Sequence, residues 1–136
     1  MPGEGKLNYD GAVYRNGSCS EAGWVFRDCE DVFIAATNLR IVPQKDPPTT
    51  EALAIYYGIL RGKRRGYHCL IVESDAWVIV EAIKNSDPCA AAYGNIIDDI
   101  RELKMEFEIC VFRYISKEDN NLAHITTSFV KESIVE

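Results

Sequence analysis

Lys6-Leu7-Asn8-Tyr9-Asp10-Gly11-Ala12-Val13-Tyr14 is the stretch whose reading decides the fold. Tyr and Val favour a pleated surface, and Leu7, Tyr9 and Val13 recur at a period of two, so the pattern predicts a first β-strand. Asp10 falls in its middle. A carboxylate inside an α/β domain is costly to bury unless a cation or a donor neutralises it, so a partner for Asp10 is expected. Gly11 beside it leaves room for a ligand to approach the backbone, and a plain strand kink accounts for it equally well. Two later stretches, Thr50-Glu51-Ala52-Leu53 and Ile71-Val72-Glu73-Ser74-Asp75, each deliver another carboxylate at an element boundary.

Outward from that strand, Asn16-Gly17-Ser18 signals a turn and Glu21 to Arg27 reads as a second strand. A polar turn over residues 28–31 leads to a third strand from Val32 to Thr37, which makes the first three strands an antiparallel meander. Asn38 to Thr50 carries Pro43, Pro47 and Pro48 and is expected to be an extended loop. Thr49 or Thr50 can cap the next helix, with Glu51 in its first turn. That helix runs to about Arg65, is apolar on more than one stripe, and stops at Gly66.

Tyr67 to Glu73 is a short apolar run suited to a buried strand parallel to the first. Asp75 opens a second helix to Ala82 or Lys84, and Asn85-Ser86-Asp87-Pro88 breaks it. Ile96, Ile97, Ile100 and Leu103 then mark a third helix, and Phe107 to Tyr114 a fifth strand. Lys117 to Asn121 is a polar loop, and Leu122, Ile125, Phe129 and Val130 mark a C-terminal helix. The predicted architecture is α/β: a five-stranded mixed sheet in the order βββαβααβα with helices on both faces.

A length of 136 residues fits one domain, with a core from about residue 6 to residue 130. Hydrophobic residues at 47% and charged residues at 26% are ordinary for a folded protein and exclude the disordered class. The five cysteines are odd in number and scattered, without a C-x-x-C pair or zinc spacing, and read as small core residues in a reducing compartment. No signal pattern or membrane-length apolar run is present, so a soluble protein of the cytoplasm or nucleus is expected. A net charge of −6 opposes general binding to nucleic-acid backbones. Two bound divalent cations would offset most of it.

Ligands of open α/β sheets gather at the carboxyl ends of strands where the strand order switches. If the long helix crosses beneath the first strand and the strand that ends at Asp75, Asp10, Glu51 and Asp75 can converge. Three such carboxylates require cations to stay charged in a dry site, and hard oxygen ligands without thiolates or an imidazole cluster suit Mg²⁺. The chain has no Ser-His-Asp or Cys-His pattern and no Gly-rich phosphate loop.

KLNYDGAVY, AGWVFRD, TEALAIYYG, LIVESDAWVIVEAI and KEDNNLAH, in that order, resemble the ribonuclease H fold, and in particular the plant reverse-transcriptase-like branch of ribonuclease H-like domains. The resemblance implies a metal-dependent endonuclease that hydrolyses the RNA strand of RNA–DNA hybrids to 5′-phosphate and 3′-hydroxyl ends. It implies that Asp10, Glu51 and Asp75 hold two Mg²⁺ ions, with Asp10 bridging them and Mn²⁺ able to substitute. His124 stands where the family commonly places a fourth Asp, which makes it a further catalytic candidate, and Asp119 lies five residues before it. Pro47 and Pro48 stand where bacterial and animal members place an Asn pair that reads 2′-hydroxyls. Proline cannot make that contact.

Candidates for touching nucleic acid are Gly11, Asn16 and the basic run Lys63-Arg64-Arg65, although basic residues in a last turn also complement the helix dipole. Trp24 and Trp77 both lie within apolar runs and read as core residues before they read as base-stacking ones. Glu73 reads as a strand-end surface acid. The competing reading of the whole chain is a catalytically silent ribonuclease H-like module that binds nucleic acid or a protein partner. Other nucleases on the same fold, such as integrases and exonucleases, share the carboxylate logic.

Overall fold

β1 (Glu4–Val13) lies inside the sheet, with the next strand of the chain on one side and a strand reached by a crossover on the other. The computed structural model describes residues 4–13, 20–28, 33–41, 45–116 and 133–135. β2 (Ser20–Arg27) and β3 (Phe33–Ile41) complete the antiparallel meander, with Lys6 opposite Arg27 and Val25 opposite Ala36. β3 runs to Ile41, beyond the expected end at Thr37. Asn38, Leu39 and Arg40 stay in extended pairing with β2, so the loop ahead of the prolines is shorter than the sequence suggested.

α1 (Pro47–Arg64) crosses to the other edge of β1, where β4 (Cys69–Ser74) pairs parallel to it from Glu4–Cys69 to Tyr9–Ser74. α2 (Trp77–Lys84) and α3 (Gly94–Lys104) lead to β5 (Ile109–Tyr114), parallel to β4. β6 (Ser133–Val135) adds parallel to β3, giving the order β5-β4-β1-β2-β3-β6. The mixed α/β sheet agrees with the sequence reading, but it has six strands where five were expected. The extra strand is three residues long, too short to leave a periodic signal.

α1 contacts β1, β2, α2 and α3, and α2 contacts α3, so the three helices form one layer. Alternation along β4 sends Leu70, Val72 and Ser74 into this layer, where the first two join Ile55, Ile59, Ile79, Ile97 and Ile100 in the core. Phe112 on β5 enters the same core, whereas Ile109 and Val111 alternate outward and are exposed. The helix expected over residues 122–130, which would cover the second face, lies outside the described residues. Gly66 ends α1 at φ +89°, the left-handed conformation that a glycine adopts without strain. Gly94 opens α3 so close to Cys89 that a Cβ would stand 2.3 Å from the Cys89 carbonyl oxygen.

Candidate active site

The N-terminus of α1 is set by Asp46, whose carboxylate accepts a hydrogen bond from the Thr49 backbone N–H at 2.8 Å. Hydrogen bonding from the Thr49 side chain, and secondly from its backbone N–H, favours the charged form and holds the Asp46 carboxyl below its usual range. Pro47 and Pro48 occupy the first two helical positions, where a missing N–H costs nothing and a fixed φ suits the helix. The helix therefore begins earlier than a Thr49 or Thr50 cap would allow, and no acid lies in its first turn. Glu51 falls one turn further in, half-buried between the buried Thr50 and Ala52. Thr50 is held by its own hydroxyl, which donates to the Asp46 carbonyl at 2.9 Å.

Asp75 is carried on the turn between β4 and α2, and Ser74 pins that turn from both sides. Its Oγ accepts from the Ala76 N–H at 2.9 Å, and its carbonyl accepts from the Ile115 N–H at 2.8 Å. The Asp75 carbonyl in turn accepts from Trp77 N–H at 3.0 Å. Glu51 and Asp75 thereby line one open cleft of about 280 Å³, walled by Pro48, Ala76, Trp77, Val78 and Ile79. Asp10 approaches from the third element: Tyr9 pairs with Ser74, so Asp10 is the next residue of β1 at the strand end that Asp75 follows. For Asp10 and Gly11 it is the backbone that the structure describes. Among the described residues no group of three or more His, Cys, Asp or Glu is placed to hold a metal ion.

His124, Asp119 and Asn16 lie outside the described residues. Lys63, Arg64 and Arg65 sit at the far end of α1, about 18 Å along its axis from Glu51 at 1.5 Å per residue. There Lys63 pairs with Glu106, and the Arg65 guanidinium lies 5.5 Å from the centre of the Phe26 ring. The structure thus brings Glu51 and Asp75 together and sets the basic run apart from them.

Three other readings are settled by burial. Trp24 is fully buried as expected, but Trp77 is 54% exposed at the cleft. Glu73 is not a surface acid: it is 8% exposed and faces Arg27 at 3.4 Å and Arg113 at 3.8 Å. Cys110 is half-buried and packs against the core without belonging to it, so the reading as a small core residue holds only in part. Burial pushes its pKa up to about 12 against a smaller opposing pull from Lys104. Tyr114, which forms an edge-to-face pair with Trp77, was missed. Only its place at the end of β5, beside Ser74, could have pointed to it.

Comparisons with known proteins agree with this topology. RNase H1 from the halophilic archaeon Halobacterium salinarum NRC-1 superposes with a TM-score of 0.83 at 15% identity, covering 93% of this chain and 96% of that one. The N-terminal RNase H domain of a Mycobacterium tuberculosis protein gives a TM-score of 0.81 at 13% identity, with 92% and 91% covered. LC11-RNase H1, isolated from compost by a metagenomic approach and solved with an RNA/DNA hybrid, gives 0.78 at 17% identity, with 91% and 94% covered. At these identities the likeness is one of fold. No curated protein sequence matches the chain. No helix among the described residues is long and apolar enough to cross a membrane. A family model described as reverse transcriptase-like matches residues 8–130, and with that match and this topology the chain belongs to the reverse transcriptase-like family of ribonuclease H-like domains.

Proposed function

We propose that this chain is a divalent-metal-dependent endonuclease that hydrolyses the RNA strand of RNA–DNA hybrids. One observation carries the reading: Glu51 and Asp75, distant in sequence, line a single cleft at the strand end that Asp10 also reaches. The donor chemistry fits Mg²⁺, because the described residues lining the cleft offer carboxylate oxygens and neither cysteine nor histidine. Asp10, Glu51 and Asp75 would hold two such ions, with Mn²⁺ as a substitute. Bound there, divalent cations lower the pKa of the attacking water and stabilise the departing oxygen, so no side-chain nucleophile is needed.

The protein's own contribution is to hold its acids in place. The Ser74 clamp fixes Asp75 at the end of β4, the Asp46 and Thr50 hydrogen bonds fix the first turns of α1 below Glu51, and the sheet register fixes Asp10. Pro48, Ala76 and Ile79 give the cleft an apolar wall beside the carboxylates, which strengthens charge–charge interactions there relative to bulk water. His124 is the candidate for the place where the family resemblance implies a fourth acid. The hybrid substrate is suggested by LC11-RNase H1, which was solved with an RNA/DNA hybrid.

The test is cleavage of an end-labelled hybrid in Mg²⁺ and in Mn²⁺, comparing wild type with Asp10→Asn and Glu51→Gln. Cleavage by wild type that falls to background in both variants is the expected result. A folded wild type as inert as its variants sinks the nuclease.

Pro48 in the cleft wall favours a second reading, a module that binds nucleic acid without efficient hydrolysis, because proline offers no donor to a 2′-hydroxyl. Calorimetric titration separates the two: saturable Mg²⁺ uptake lost in Asp10→Asn supports the nuclease, and its absence supports the module.

A further inference from the structure

Large apolar side chains gain free energy when they leave water, so a cluster of them left exposed beside a cleft calls for an occupant. Trp77 and Val78, the first two residues of α2, are 54% and 60% exposed, and Tyr114 at the end of β5 is 47% exposed. The rings of Trp77 and Tyr114 meet edge to face, with centroids 5.5 Å apart and planes at 85°. Tyr114 pairs with Ser74 in the sheet register, and Ile115 N–H donates to the Ser74 carbonyl at 2.8 Å. The same clamp that positions Asp75 therefore positions the aromatic pair, and Trp77 lines the cleft together with Glu51 and Asp75.

Resting on the reading that this cleft receives a nucleic-acid strand, we propose that Trp77, braced edge to face by Tyr114, is a stacking platform for an unpaired nucleobase of that strand, next to the phosphate presented to the carboxylates. Within that reading, charge favours a base contact over a phosphate contact. The net charge is −6, and the cleft's charged lining residues are the acids Glu51 and Asp75, so phosphate contacts alone would hold a strand weakly here. Base–aromatic stacking needs no charge and accepts every base, because each has a π-face. A base inside a duplex is stacked on its neighbours and shows only its edges. The occupant is accordingly unpaired, as bases splayed from RNA loops, bulges and ends are. The platform predicts tighter binding of hybrids that carry an unpaired flank or bulge than of blunt ones.

The chain has two tryptophans, and Trp24 is 0% exposed, so quenching of indole emission by a bound base reports on Trp77. Wild type is titrated with a short fluorescein-labelled oligoadenylate in EDTA, following anisotropy and, with unlabelled oligomer, tryptophan emission. Quenching that tracks binding is expected. Trp77→Ala should weaken binding roughly tenfold, about 1.4 kcal/mol, with Trp77→Phe retaining most of the affinity. Tyr114→Leu removes the brace on Trp77 from β5 and should weaken binding in the same direction, and circular dichroism verifies the fold of each variant.

Four results overturn the proposal: no binding by wild type, binding without quenching, unchanged affinity in folded Trp77→Ala, or a wild-type dimer in sedimentation that Trp77→Ala dissolves. The last would make a second copy of the chain the occupant. Because no metal is present, failure here is separable from failure of the nuclease reading. A protein that stacks bases but does not cut keeps the platform, and one that cuts while Trp77→Ala binds like wild type loses only the platform.

Discussion

At Glu73 the strand places a carboxylate where water scarcely reaches, and two guanidinium groups meet it. Glu73 is registered beside Asn8 of β1, and Arg27 beside Lys6, so the Arg27–Glu73 pair spans β1 diagonally, while Arg113 reaches the same acid from its register partner position on β5. Removing one member of a poorly solvated ion cluster leaves the others under-compensated. With contacts of 3.4 and 3.8 Å the effect should be moderate, and Glu73→Gln is expected to lower unfolding stability by about 2 kcal/mol. The urea midpoint measures it. An unchanged midpoint would mean the pairs are screened like surface ones and contribute nothing. The two tryptophans mark the limit of sequence at this scale. Each lies in an apolar run, but Trp24 is in a strand covered by α1, whereas Trp77 precedes Ile79, the first buried residue of α2, and ends up outside. Hydrophobicity alone cannot separate a core position from a helix start that faces a cleft.

Elements were legible where period and punctuation agreed. α3 follows its Ile97, Ile100 and Leu103 spacing, Gly66 stops α1, and the meander runs as the turn signals indicate. The start of α1 was misread because three prolines suggest a loop, whereas two of them are tolerated in a first turn whose N–H groups have no intrahelical partners anyway. The true cap is Asp46, one residue before them. Its folded pKa is lowered, so the stability it contributes is present above its ordinary value of 3.8 and is lost as pH falls through the folded value. Asp46→Ala should therefore melt below wild type at pH 7, and the gap should close in acid well below pH 3.8. Thermal melts at the two extremes check this. A gap that persists in acid would assign the loss to something other than the charged cap. Because α1 carries Glu51, a frayed first turn should also weaken whatever the cleft binds.

Across the whole molecule, the meeting of β1 with the end of β4 was foreseeable from topology: a helix returning the chain to a strand parallel to β1 puts the end of β4 beside the backbone of Asp10. What topology could not supply is the wall of the site, because Pro48 and Trp77 line the cleft from the starts of two different helices and Tyr114 meets the Trp77 ring, which no period encodes. The proposed metal site has a consequence for stability that does not require any turnover. Carboxylates that share a cleft repel one another until cations arrive, so the metal-free fold carries a strain that one neutral substitution relieves. In EDTA, Asp10→Asn should melt at or above wild type. A ligand bound only by the folded state stabilises it by about 1.4 kcal/mol at tenfold its Kd, roughly 5 °C for a chain of 136 residues. Millimolar Mg²⁺ should therefore raise the wild-type Tm while scarcely moving Asp10→Asn, reversing their order. Melting curves that rise together on adding Mg²⁺, or that do not move in either protein, would separate these acids from any shared cation.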